Sequence, residues 1–459
     1  MILVLAVLLI ATVLGLLLWR KISPVVAFVV LPPIAGLLAG VSLSDLGRFI
    51  GEGLQTVFPT AVMFIFAVLF FGILRERGLF DPVVNFMVKI GGNDPVRLYI
   101  ATVLLAAVVH LDGVGPATVL LTIPALLPVY QRLGLGPFRL LLFVGASVGI
   151  MNMVPWGGPT ARAASALKLD AAALWYPLIP VQAIGLATAL LLAVFLGLRD
   201  RRKVPELLGD AIVLSRSRKD LLAVGGAAAS FSPASATLER DLEAARPALS
   251  GVRGFKASYW ANLAVLLAVL TVLFLRLLPL NVTFMIGLGL VLLINFRGLK
   301  AQGEAIERHA RDAINLAVVL LAVSVFLGVL AGTGMVAELS NGLARLFPAA
   351  ATQYVHLALG ALATPIGMVI GPDPYYFGML PIFGGMGACG GGSGVGVPSA
   401  MLLGENLVIL LSPMIPVAYL ASSLAQVDLA QNIKANFCYL WGISLAMLLA
   451  AVLLGVVPL

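Results

Sequence analysis

Apolar runs long enough to cross a bilayer limit what this chain can become. Met1–Trp19, Val25–Gly40 and Val57–Leu74 succeed one another near the start, and Ser258–Pro279, Asn281–Phe296 and Ala313–Leu330 beyond the middle. A helix needs about 20 apolar residues to span hydrocarbon. Lipid leaves backbone N–H and C=O groups no partner but the protein itself, so only helices or a closed barrel can span. The runs are continuous rather than alternating, which argues against a barrel. Composition agrees: 61% of the 459 residues are hydrophobic and only 11% are charged, too few charges to solvate a soluble core of this length. The chain is predicted to be an all-α polytopic membrane protein.

Charge gives the orientation. The net +8 reads as Lys and Arg gathered in cytoplasmic loops, as the positive-inside rule requires, rather than as a nucleic-acid surface. Arg20 and Lys21 close the first run and Arg75-Glu76-Arg77 the third, so the N-terminus is expected outside. From Arg199 to Lys256 the chain turns charged and rich in Ala and Ser, with Arg201-Arg202-Lys203, Arg216, Arg218 and Lys219. That composition suits a cytoplasmic linker. The predicted organisation is a first transmembrane repeat over 1–198, a linker over 199–256 and a second repeat over 257–459. Met1–Leu18 has no basic n-region or cleavage site and is expected to be a retained helix. Cys389 and Cys438 form neither a CxxC motif nor a disulfide framework.

The halves resemble each other. Gly72 and Gly78 recur as Gly328 and Gly334, and Gly115-Pro116 recurs as Gly371-Pro372, each 256 residues later. Pro155 and Asp170 recur as Pro413 and Asp428 after 258. The charge rule sends Val57–Leu74 inward and Ala313–Leu330 outward, so the duplication is inverted. Inverted repeats are characteristic of secondary transporters, whose site lies at the repeat interface near the midplane.

Each half is interrupted twice, by HLDGVGPAT (His110–Thr118) and NMVPWGGPTARAA (Asn152–Ala164), then by IGPDPYYFG (Ile370–Gly378) and LSPMIPVAY (Leu411–Tyr419). Gly and Pro break backbone bonding, which hydrocarbon tolerates only beside protein or a wet cavity. The expected result is a re-entrant hairpin and a broken helix in each half. Asp112 and Asp373 are candidates for proton carriage, for contact with a metal borne by the substrate, or for bracing a hairpin tip. His110 is a candidate proton relay or a structural histidine. Gly113, Gly115, Pro116, Thr118, Asn152, Gly157, Gly158, Thr160, Gly371, Ser412 and Pro413 supply candidate substrate contacts at the breaks, and Trp156, Tyr375 and Tyr376 candidate cavity walls. Arg162 could meet a carboxylate or serve an ion pair. Glu405-Asn406 reads as the start and cap of an apolar stretch, and the Gly-rich tract Gly384–Pro398 as a flexible connection. No arginine cluster is expected at the breaks, so a free trianion would be poorly neutralised, whereas a substrate carrying its own divalent cation would not. HExxH, P-loop and kinase motifs are absent; the chain is not expected to be an enzyme or an ATP-driven pump.

The segments HLDGVGPAT, LLPVYQRLG (Leu126–Gly134), GIMNMVPWGGPTARAA (Gly149–Ala164), YYFGMLPI (Tyr375–Ile382) and LSPMIP (Leu411–Pro416) resemble the citrate–metal:proton symporter family, CitMHS, of the ion transporter superfamily. The resemblance runs nearly full length outside the linker. It implies inward symport of a citrate–divalent metal complex with protons, the metal being of the Mg or Ca class and no cofactor being permanently bound. The superfamily resemblance further implies a dimerising scaffold domain, a transport domain that slides as an elevator, and a bacterial-type inner membrane. Two positions depart from the family pattern: Val114 stands where a second acid is expected and Ala117 where a hydroxyl is expected.

Overall fold

The computed structural model describes residues 2–18, 22–92, 94–202, 257–344, 354–389 and 395–458. The charges Arg20 and Lys21, the linker beyond Arg202, and the centre of the Gly-rich tract lie outside the described residues. No strand occurs among the described residues. The first half comprises α1 (Ile2–Leu18), α2 (Pro24–Leu38), α3 (Leu43–Glu76), α4 (Asp81–Gly91), α5 (Pro95–Val109), α6 (Gly115–Arg132), α7 (Pro137–Met151), α8 (Gly158–Leu167), α9 (Ala171–Trp175) and α10 (Ile179–Arg201). The second comprises α11 (Ala257–Phe274), α12 (Leu280–Asn295), α13 (Leu299–Gly332), α14 (Met335–Ala344), α15 (Val355–Ile370), α16 (Leu380–Cys389), α17 (Gly396–Glu405), α18 (Pro416–Leu424) and α19 (Leu429–Leu453). Among the described residues five helical stretches are long and apolar enough to cross a membrane, so the protein is a multi-pass membrane protein.

Local chemistry fixes where helices start. Ser23, Ser42, Asp94 and Asp428 each sit in extended backbone and accept a backbone N–H from the first turn of α2, α3, α5 and α19. Such caps satisfy donors that a helix start leaves orphaned. Capping also explains a difference from the hydropathy reading. The third span was placed at Val57, yet α3 starts at Leu43 and runs for 34 residues. Its polar first turns hold because Ser42 caps them and Arg48 bridges Asp45 and Glu52, each at 3.3 Å. α13 also begins early, at Leu299 ahead of Ala313, and is 34 residues long, but without a side-chain cap: its polar turns are held by Arg308 and His309 on Glu76 of α3. The last helix before the linker, α10, runs to Arg201, and Asp200 within it accepts hydrogen bonds from Arg139 at 3.0 Å and Tyr99 at 2.9 Å.

The two long helices lie antiparallel and form the spine of one packing group, with α1, α2, α11 and α12 around them. At one end Gly53 meets the backbone at Ser324 and Gly328, and Gly328 meets the Phe49 carbonyl. At the other, Gly72 faces the His309 ring, and Glu76 accepts hydrogen bonds from Arg308 at 2.9 Å and from His309 at 3.0 Å. Small residues let backbones approach closely where lipid supplies no hydrophobic drive between helices. A second group gathers the hairpin arms and broken helices around α7, α10, α17 and α19.

Gly328→Val pushes a side chain into the Phe49 carbonyl and is expected to destabilise the detergent-solubilised protein by about 1–3 kcal/mol. Gly47→Ala, with open space around it, is the control. Thermal unfolding compares them, and equal melting of the two variants would remove the glycine contact from the account of the spine.

Candidate functional site

The first interruption is a tight reversal. α5 ends in a 3-10 turn over His110–Asp112, Gly113 takes φ +70°, and α6 leaves in the opposite direction. The arms are antiparallel: Thr102 Oγ1 and Tyr130 Oη lie 2.8 Å apart, and Arg132 donates to the Gly92 carbonyl at 3.2 Å. Positive φ at Gly113 costs little because there is no Cβ. In the broken helix that follows, α7 stops at Met151 and α8 restarts at Gly158. The second half has its own pair of interruptions. α15 ends at Gly371 with φ +79°, and a π-helical turn over Pro374–Met379 follows. π turns are frequent at functional sites. α17 ends at Glu405, a 3-10 turn covers Asn406–Val408, and α18 restarts at Pro416.

These four segments converge. Trp156 Nε1 donates to the Leu111 carbonyl at 2.8 Å, joining the first broken helix to the first tip. Ser412 Oγ donates to the Met368 carbonyl at 2.8 Å, joining the second break to the arm of its own hairpin. Asn152 Nδ2 donates to Asn406 Oδ1 at 3.2 Å, linking the two breaks directly. A Cβ on Gly149 would lie 2.7 Å from the Asn406 carbonyl and 2.8 Å from Leu407 Cα, so only glycine permits that crossing. Gly115 of the first tip packs on Ile409 and Val417 of the second break, and Gly371 on Met414. All the candidate residues lie on these four segments.

Their polar atoms are largely committed to one another. Asp112, 1% exposed, accepts the Val114 N–H at 2.8 Å and the Arg75 Nη1 hydrogen at 2.7 Å. Asp373 accepts from Arg162 Nε at 2.7 Å. His110 Nδ1 lies 2.8 Å from Thr118 Oγ1, while its buried Nε2 makes no hydrogen bond of good geometry among the described residues. Thr160 Oγ1 donates to the Met153 carbonyl at 2.9 Å, and Tyr375 Oη to the Met401 carbonyl at 3.1 Å. Pro413 gives its carbonyl to Tyr419 Oη at 3.1 Å. Trp156 is 2% exposed, stacks on Phe71 at 5.8 Å and meets Phe284 edge-on at 5.1 Å, so it is a packed wall. Three or more His, Cys, Asp or Glu side chains poised around one metal position are not found among the described residues.

Single arginines, not a cluster, stand at the interruptions: Arg162, for which an ion pair was one expected role, and Arg75 each neutralise one aspartate. Arg75 was read only as the basic end of a span, because the fold that brings it to Asp112 joins residues 37 apart. Glu405 does not cap a following helix but ends α17, buried at 2% exposure, where it accepts the Tyr376 hydroxyl at 2.7 Å. A lone acid in an apolar run was the available signal.

Comparison with known proteins gives a consistent result. The profile of the CitMHS family, described as citrate transporter, matches residues 2–404. A citrate transporter of Bacillus subtilis (strain 168) is 32% identical over 438 residues, covering 95% of each chain. A Mg(2+)/citrate complex secondary transporter of the same organism is 32% identical over 455 residues, 99% of this chain and 98% of that one. The crystal structure of the Alcanivorax borkumensis YdaH transporter has a TM-score of 0.60 at 17% identity, over 90% of this chain and 88% of that one; it shares the fold.

Removing Arg75 leaves Asp112 buried without its cation. Arg75→Gln is expected to cost about 3 kcal/mol, and Arg75→Gln/Asp112→Asn distinctly less. A double-mutant cycle by chemical denaturation reads the difference, and an equal cost for both variants would show that the pair does not hold the tip.

Proposed function

Because this chain belongs to the CitMHS family of citrate transporters, we propose that it is a proton-coupled secondary transporter of a citrate–divalent metal complex. The observation that carries the cargo assignment is charge balance at the breaks. Asp112 and Asp373 each hold one arginine at 2.7 Å, leaving the paired charges neutral and offering no surplus cation to a citrate trianion. A divalent cation bound to citrate removes most of that charge before the cargo enters, which suits a site of low dielectric. The relative named for a magnesium–citrate complex supports metal-borne cargo of the Mg or Ca class, carried as substrate and not as a resident cofactor. The substrate contacts we propose are the convergent tips and breaks: Gly113–Thr118, Asn152–Thr160, Gly371–Tyr376 and Ser412–Pro413.

Inverted duplication is supported by the spine. A shift of 256 residues carries Gly53 onto His309 and Gly72 onto Gly328. The observed contacts are Gly53 with Gly328 and Gly72 with His309, so the shift turns one contact into the other. Antiparallel helices meeting at equivalent positions are what a two-fold axis in the membrane plane would produce. On this reading α1–α3 and α11–α13 are the scaffold, the hairpins and broken helices the moving domain, and the assembly a homodimer in a bacterial-type inner membrane with the linker cytoplasmic. Val114 and Ala117, which depart from the family pattern, favour as second reading a superfamily carrier for another carboxylate or ion.

Proteoliposomes test the proposal. Radiolabelled citrate should accumulate only with added divalent metal and faster under an inward proton gradient; indifference to both would sink it. Asp112→Asn should impair coupled uptake in a folded protein, and wild-type uptake by that variant would remove Asp112 from the mechanism.

A further inference from the structure

Proton coupling needs a group that can be charged in one state and neutral in another. The paired aspartates are poor carriers, since protonating either strands an arginine. Glu405 differs from both. It closes α17 at 2% exposure and makes no ion pair among the described residues. Its hydrogen bond comes from Tyr376 Oη, 2.7 Å away on the second hairpin's π turn, and Tyr376 is itself fully buried. Tyr375 meets Tyr376 edge-on at 5.1 Å, and Gly367 of α15 packs against the glutamate's Cγ without a polar group. The charged groups that face Glu405 through space are Arg162 of α8 and Asp373 of the tip, already paired with each other at 2.7 Å. A buried carboxylate with no cation of its own is strongly disfavoured relative to the neutral acid. Its position is also central: Asn406, the next residue, accepts the hydrogen bond that joins the two breaks.

We propose that Glu405 is the group that binds and releases the transported proton, with Tyr376 as the positioning residue that links it to the second hairpin tip. The assignment rests on the proton-coupled reading above. Its step is simple: one proton joins a Glu405 carboxyl oxygen on the side where cargo loads and leaves to water on the side where it unloads. No bond within the cargo changes. Coupling follows from charge. With Glu405 protonated, the cluster of Arg162, Asp373 and Glu405 is neutral. With it ionised, the cluster carries one negative charge and repels a citrate–metal complex that is itself anionic. Proton and cargo therefore strengthen each other's binding, and linkage makes that effect reciprocal.

The test uses the full chain in proteoliposomes with magnesium and radiolabelled citrate, above the pH at which free citrate takes up protons. Wild-type protein should accumulate citrate when an inward proton gradient is imposed, and its apparent Kd for magnesium–citrate should rise by up to about tenfold per pH unit. Glu405→Gln should lose gradient-driven accumulation and show a flat Kd–pH profile, while still exchanging citrate across the membrane at equal pH. Tyr376→Phe removes a hydrogen bond that favours the carboxylate, so the pH at which affinity falls should move upward. That second variant keeps the test decisive if Glu405→Gln does not fold. Gradient-driven accumulation and a wild-type pH profile in Glu405→Gln overturn the assignment, as does an unmoved profile in Tyr376→Phe. If wild-type accumulation itself ignores the gradient, the proton-coupled reading fails and takes this assignment with it; a wild-type response that both variants share overturns Glu405 alone.

Discussion

Everything in this fold depends on satisfying backbone and side-chain polar groups where four helices are interrupted inside a membrane protein. Each interruption frees donors and acceptors that lipid cannot solvate. They are met by the other interruptions: Trp156 with the first tip, Ser412 with the arm before the second, and Asn152 with Asn406 between the breaks. The long antiparallel pair α3 and α13 gives this cluster a wall, and Arg75 at the end of α3 reaches from that wall to the first tip.

That mutual dependence explains why the breaks hold polar residues without holding free charge. Two arginines and two aspartates enter the protein interior as matched pairs. Each pair ties its tip to a neighbouring helix and cancels its own charge, so that on the proposed reading the cargo's charge and the state of Glu405 are the variables. Neutral donors such as the Thr160 and Tyr375 hydroxyls are spent on nearby carbonyls, which fixes their positions.

Much of this was legible in the sequence, for a physical reason. Gly-Pro pairs act on their own backbone, so the interruptions at His110–Thr118 and Ile370–Gly378 could be read locally. The apolar runs likewise report lipid-facing length. What was hidden depends on distant partners. Arg75 looks like a loop charge until the fold brings it to Asp112, and Glu405 looks like a helix cap until the chain turns directly after it. Hydropathy also lost the first turns of α3 and α13: a cap and charge pairs along the helix carry α3 through residues that lipid would reject, and ion pairs to Glu76 of α3 hold the polar part of α13.

The Arg162–Asp373 pair has a consequence for how the chain is made. The two residues lie 211 apart in sequence. During synthesis Arg162 leaves the ribosome long before Asp373 exists. Until then the first half holds this guanidinium without its aspartate, and a premature stop ahead of residue 373 would leave it so.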